Sequence, residues 1–265
     1  MEFFDSHAHL DDEKFDQDRR DLINNIYQEH ITKIITVGYH IESSKKAVQL
    51  SDQYNWIYAA VGISPNDIEE AEEKIAVQIG EIEKLIQSAQ LQNHKPAAIG
   101  EIGLDYYWNK ENKELQKYAF IKQIELSNSY ELPVIIHNRD AMQDTLDILK
   151  NIAAPIKKGV FHCCQLNREL VKQVLELGFY ISLAGPVTFK NAKNADEIIE
   201  MIPMDKLLIE TDSPYLSPEP NRGKRNDPRN VKFVAEKIAD IKKVTILEIA
   251  TSTYQNAMNL FEINK

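Results

Sequence analysis

Short apolar runs alternate with longer segments of helical period from one end of this 265-residue chain to the other, and few architectures accept that pattern. The strand-like runs cover 3–4, 33–38, 57–63, 97–103, 134–137, 159–162, 179–183 and 207–211. Several are apolar without interruption, as strands covered on both faces by helices are. Helical periodicity spans 18–29, 43–54, 68–90, 113–130, 141–152, 168–177 and 196–201 between them, then 229–241 and 245–261 after the last. Pro133 opens one strand, because the residue before a proline disfavours helix. Asn167 is placed to cap the helix carrying Val171, Val174 and Leu175. Eight strands in strict βα alternation predict the α/β class and a single TIM (β/α)8 barrel, with a doubly wound sheet as the runner-up. No repeat, low-complexity tract or linker interrupts the pattern, so residues 1–265 are expected to be one domain.

Charge and composition remove several function classes. The 31 Lys and Arg against 41 Asp and Glu give a formal net charge of -10, which excludes a globally basic surface for sequence-blind nucleic-acid binding. Two cysteines, adjacent at 163 and 164, make no disulfide framework and fit a reducing cytoplasm. The N-terminus lacks the basic and apolar regions of a secretory signal. No stretch approaches the roughly 18 apolar residues of a membrane span. A cytoplasmic protein, compatible with a monomer, is the expectation.

Six polar residues fall where a barrel concentrates its chemistry. His7 and His9 lie two apart on the first strand and share a face. Glu101 sits between apolar residues late in the fourth strand, and a buried carboxylate left alone costs several kcal/mol. His137 ends the fifth strand, His162 the sixth, and Asp212 follows the eighth. All converge on the C-terminal mouth of a barrel. Four histidines and two carboxylates exceed one tetrahedral zinc and suit two divalent ions bridged by a carboxylate. Mixed imidazole and carboxylate ligation fits zinc or manganese, and magnesium less well. Such a pair supplies an activated water, with Asp212 placed to take its proton.

The blocks Asp5-Ser6-His7-Ala8-His9-Leu10, Gly100-Glu101-Ile102-Gly103-Leu104-Asp105-Tyr106-Tyr107, PVIIHNRDA over 133–141, Phe161-His162-Cys163, ETDSPYL over 210–216 and Pro220-Asn221-Arg222-Gly223-Lys224-Arg225-Asn226 resemble the TatD family of metal-dependent hydrolases. They occur in the family's order and cover the whole chain. The resemblance implies an amidohydrolase-like barrel. One ion would lie at His7, His9, Glu101 and Asp212 and a second at Glu101, His137 and His162, with Glu101 as the bridge. It also implies DNase activity, including removal of nucleotides from an end, with tRNA-related deacylation in some members. Glu101 and Asp212 are then the catalytic carboxylates.

A nucleic-acid substrate needs grips away from the ions. Arg222, Lys224 and Arg225 cluster beyond the eighth strand, and Arg139 lies two residues past His137; these four are the expected phosphate contacts. With the negative net charge, DNA binding should be weak and salt-sensitive. Tyr106, Tyr107 and Trp108 are placed to stack on an unpaired base, and Tyr215 lies close to Asp212. One departure stands out: the family usually has Gly-x-His-Pro after the third strand, where this chain has Gly62-Ile63-Ser64-Pro65. Serine replaces neither a general acid nor a cationic phosphate contact. The alternatives to a single-strand-preferring DNase are an ester or amide hydrolase, such as an aminoacyl-tRNA deacylase, and a non-catalytic metal-binding scaffold. His30, His40, His94 and Cys164 are read as structural.

Overall fold

The computed structural model describes residues 1–92, 96–152 and 158–263, so His94 lies outside the described residues. All eight expected strands form: β1 Phe3–Ala8, β2 Ile31–Val37, β3 Ile57–Val61, β4 Ala98–Asp105, β5 Val134–Arg139, β6 Gly159–Phe161, β7 Tyr180–Leu183 and β8 Leu207–Ile209. The helices are α1 Arg19–Gln28, α2 Ile41–Gln53, α3 Glu72–Leu91, α4 Lys113–Tyr130, α5 Met142–Asn151, α6 Arg168–Glu176, α7 Ala195–Met201, α8 Val231–Lys242 and α9 Ile246–Leu260. The strands follow the chain in sheet order, β1 through β8. The pairs β3–β4, β4–β5, β5–β6 and β7–β8 are parallel. Parallel strands in sequential order with intervening helices are the connectivity of a (β/α)8 barrel.

The chain divides into two compact units, Met1–Ile35 with His162–Lys265, and Thr36–Phe161. In the first, the beginning and end of the chain meet. Ala8 bridges Ser213, the His9 N–H donates to the Ser213 carbonyl at 2.7 Å, and the Asp212 N–H donates to the His7 carbonyl at 2.9 Å. Beneath them, Phe4 packs edge-on against Tyr254 of α9, with centroids 5.7 Å apart, and lies 6.2 Å from Phe261. A reciprocal Thr245–Glu248 cap opens α9. Asn167 caps α6 as expected, accepting from the Leu170 N–H at 3.0 Å.

In the second unit, two buried glutamines of α4 complete the backbone where strands end. Gln123 accepts from the Ile63 N–H at 2.8 Å and donates to the Ile63 carbonyl at 2.9 Å. Gln116 does the same for Asp105, at 2.8 and 3.0 Å. Buried peptide groups leaving a sheet need such partners, and these fix the ends of β3 and β4, where polar side chains emerge. His40 caps α2, its Nδ1 accepting from the Ser43 N–H at 3.1 Å. Burial pushes the Cys164 thiol up to about 12, with the Glu210 charge adding to the shift. The burial of this cysteine is that of a small core residue.

Candidate metal centre

In the first unit, His7 and His9 project from the end of β1 and meet Asp212. The His7 and His9 Nε2 atoms are 3.2 Å apart, and Asp212 Oδ1 lies 3.7 Å from the first and 3.3 Å from the second. Ligands at about 2.05 Å around a tetrahedral ion lie about 3.3 Å from one another, so the three edges match those of a divalent site. These residues can hold a metal. Asp212 adopts a left-handed φ of 55°, which aspartate tolerates better than most residues. Burial opposes its charge, but the hydrogen bond from His9 and the imidazoles of His9, His7 and His162 hold its carboxyl below the usual range. The donor set is one that a cation satisfies.

His162 belongs to the same unit and stacks on His7, with centroids 4.0 Å apart at 13°. Its Nδ1 lies 3.3 Å from Oε1 of the buried Glu210, which also accepts from the Cys163 N–H at 2.7 Å. With Nδ1–H directed at that carboxylate, Nε2 is the nitrogen presented as a ligand. Asp5, deeper on β1, accepts from the His7 N–H at 3.2 Å, the Thr211 N–H at 2.9 Å and the Thr211 hydroxyl at 2.5 Å. Burial drives the Asp5 carboxyl well up against those bonds. The carboxylate ties the strand bearing the His-x-His pair to the segment bearing Asp212.

The second unit carries Glu101 and His137. The β4–β5 register shifts between Ile99 and Ile102, around Gly100 and Glu101; such irregularities re-aim side chains beside functional sites. Glu101 Oε1 lies 2.8 Å from His137 Nδ1, while His137 Nε2 is 3.0 Å from Oδ2 of the buried Asp105. Asp105 therefore sets the opposite tautomer from His162: Nε2–H points at the acid and Nδ1 faces Glu101. Burial raises the Asp105 carboxyl, but His137, the Trp108 N–H and the Asn66 amide together bring it down to about 2. Asp105→Asn is expected to weaken metal binding about 10- to 100-fold, as read by competition against a chelator. Unchanged affinity would show that this carboxylate does not orient the ring.

Sequence reasoning passed over Asp105 and Glu210. Each had a signal, an acid at the C-terminal edge of an apolar strand run beside a quoted ligand. Ser64 is buried, its hydroxyl donates to Asp67 Oδ2 at 2.5 Å and accepts from the Asn66 N–H at 3.3 Å. It builds a turn and supplies no acid.

The expected phosphate contacts separate into two kinds. Arg225 donates to Asp18 through both terminal nitrogens and to the Lys14 carbonyl, so its charge is engaged. Arg222 lies 4.2 Å over the Phe189 ring. Neither Arg222, Lys224 nor Arg139 makes an ion pair among the described residues. Tyr106 leaves the stacking group: it is 7% exposed and its hydroxyl donates to Asp144 at 2.7 Å. Tyr215 donates to Asp12 at 2.6 Å, with its ring 6.2 Å from His9.

The family described as TatD related DNase matches residues 4–262. A metal-dependent hydrolase of Bacillus subtilis strain 168, YabD, is 44% identical over 262 residues, covering 98% of this chain and 99% of its own. YcfH of Escherichia coli K12, also a metal-dependent hydrolase, is 35% identical over 272 residues, covering 100% of this chain and 97% of its own. The crystal structure of YJJV, a TatD homologue from Escherichia coli K12, superposes with a TM-score of 0.88 at 27% identity, covering 99% of this chain and 98% of that one. Fold and donor set together define a metal-dependent hydrolase on a single (β/α)8 barrel. The chain belongs to the TatD family. Among the described residues, no helix is long and apolar enough to cross a membrane.

Proposed function

We propose that residues 1–265 act as one hydrolase domain that cleaves phosphodiester bonds of DNA from an end, in the cytoplasm. The observation that carries this reading is the His7, His9 and Asp212 triangle, whose edges of 3.2, 3.3 and 3.7 Å match a divalent site. In this reading those residues would hold one ion and His137 and His162 a second, with Glu101 serving both. Zinc or manganese suits the donors better than magnesium. When bound, the pair supplies an acidified water and neutralises charge on the phosphoryl oxygens. Asp212, whose carboxyl the surrounding imidazoles hold below the usual range against its burial, would accept the proton of the attacking water. Asp105 and Glu210 hold His137 and His162 in the tautomers their roles require. Arg139, Arg222 and Lys224 bring uncommitted positive charge to the phosphates, while Arg225 anchors the loop through Asp18.

The test is metal-stripped protein with end-labelled single-stranded DNA, adding magnesium, manganese or zinc in turn. Metal-dependent shortening is expected. An Arg222→Ala, Lys224→Ala double variant should cleave DNA about tenfold more slowly and flatten its salt dependence, with little effect on a small chromogenic phosphodiester. No shortening with any metal, in protein shown to be metallated, would overturn the DNase reading in favour of an ester or amide hydrolase, such as one acting on aminoacyl-tRNA.

A further inference from the structure

Trp108 is 69% exposed and Tyr107 is 50% exposed, side by side on the loop that leaves β4. Their rings stand nearly perpendicular, at 88°, with centroids 4.9 Å apart. The Arg139 guanidinium lies 3.9 Å over the Tyr107 ring and 5.5 Å from the Trp108 ring. Single exposed aromatics are ordinary on a protein surface. Two adjacent ones, capped by an arginine with no carboxylate partner among the described residues, form an apolar face joined to an unneutralised charge.

The loop is held in place. Asp105 Oδ1 accepts from the Tyr107 and Trp108 N–H groups at 2.9 and 3.0 Å, and its Oδ2 meets His137 Nε2 at 3.0 Å. The Tyr106 N–H donates to the Arg139 carbonyl at 2.9 Å, and Asp105 pairs with Arg139 in the β4–β5 register. One carboxylate thus fixes both the aromatic loop and the proposed metal-binding histidine. A ligand that matches offers a flat π-face and an anion within reach of one guanidinium. A nucleotide unit with its base unpaired has both; a base locked in a duplex has its faces covered by its neighbours.

Resting on the phosphodiesterase reading above, we propose that Tyr107, Trp108 and Arg139 form a stacking subsite for an unpaired nucleobase and its phosphate. The subsite makes the enzyme act on single strands and frayed ends. Stacking on Trp108 supplies affinity that is indifferent to base identity, and Arg139 holds the adjoining phosphate while remaining over Tyr107. Both β-strand ends that carry the subsite also carry proposed ligands, Glu101 on β4 and His137 on β5.

The experiment uses the full chain without metal, so that binding is read apart from cleavage. The chain has two tryptophans, and Trp56→Phe leaves Trp108 as the sole indole reporter. Titrants are a short oligothymidylate, an abasic strand of equal length and charge, and a blunt duplex. The oligothymidylate should quench the indole and bind about tenfold more tightly than the abasic strand, with the duplex also weak. In unlabelled binding assays, Trp108→Ala should lose that tenfold for oligothymidylate and leave abasic binding unchanged, while Trp108→Phe retains most of it. Arg139→Ala should weaken both strands. Equal affinity for the abasic strand, or Trp108→Ala binding oligothymidylate like the parent, would overturn the subsite even if DNA is cleaved. Quenching with the expected order of affinities, in a protein that cleaves no DNA with any metal, would support the subsite while refuting the phosphodiesterase reading.

Discussion

Glu101→Ala is expected to lower turnover by roughly a thousandfold or more, because it removes the carboxylate assigned to both ions. The informative part is what it should leave intact. Glu101 is buried, with its Oε1 2.8 Å from His137 Nδ1, and its own N–H donates to the Gly38 carbonyl at 3.0 Å. The backbone bond survives the substitution. Burial of a carboxylate opposes folding of the metal-free chain, so deleting it should leave the melting temperature of the stripped protein unchanged or higher. The wild-type protein should gain stability on adding metal, because ligand binding to the native state alone shifts unfolding by mass action. The variant should lose most of that gain. Calorimetry with and without metal, beside the activity assay, checks both halves. A variant that melts well below wild type in the absence of metal would make Glu101 a structural residue, and its loss of activity would then say nothing about ligation.

Gly103→Ala should cost about 3–5 kcal/mol, through geometry alone. Gly103 sits at φ +141°, and a Cβ there would lie 2.0 Å from the His137 carbonyl oxygen and 2.9 Å from the carbonyl carbon. Those atoms are backbone, so relief requires β4 and β5 to separate where Gly103 pairs with His137. At roughly 2–4 °C per kcal/mol for a chain of this size, the melting temperature should fall by about 10 °C. His137 should be displaced with it, so metal affinity falls too. Gly80, within α3, is the control: nothing lies within 4 Å of its added Cβ, and Gly80→Ala should stabilise by about 0.5–1 kcal/mol. A Gly103→Ala protein melting within a degree or two of wild type would mean that this close approach is absent.

The alternation of elements was legible because apolar periodicity survives in every strand and helix, and His7 and His9 are expected on the first strand although its apolar run covers only 3–4 of the six residues in β1. Asp5, Ser6 and His7 carry no apolar pattern of their own. They are strand because each polar group is satisfied across the fold: Asp5 by Thr211, Ser6 by Ser182 and the Ile209 carbonyl. Such partners lie about two hundred residues away and leave no local trace. α3 likewise begins at Glu72 rather than 68, after a segment in which the Gln78 side chain donates to the Asp67 carbonyl and accepts from the Glu69 N–H.

The charge of Arg225 was readable, but its engagement with Asp18 was not, because the two are 207 positions apart. Trp108 and Tyr106 read alike in sequence. Only tertiary packing, which turns Tyr106 toward Asp144 and leaves Trp108 in solvent, tells them apart. The histidines and acids were legible through their place at strand ends. Their tautomers were not, since those depend on which nitrogen meets Asp105 or Glu210.

The most direct measurement is the number of divalent ions bound per chain, obtained by equilibrium dialysis of stripped protein against zinc or manganese followed by elemental analysis. The account predicts two ions for the wild-type chain, with binding lost from one site in Asp212→Ala and from both in Glu101→Ala. One ion in the folded wild-type protein, or none with either metal, would contradict it.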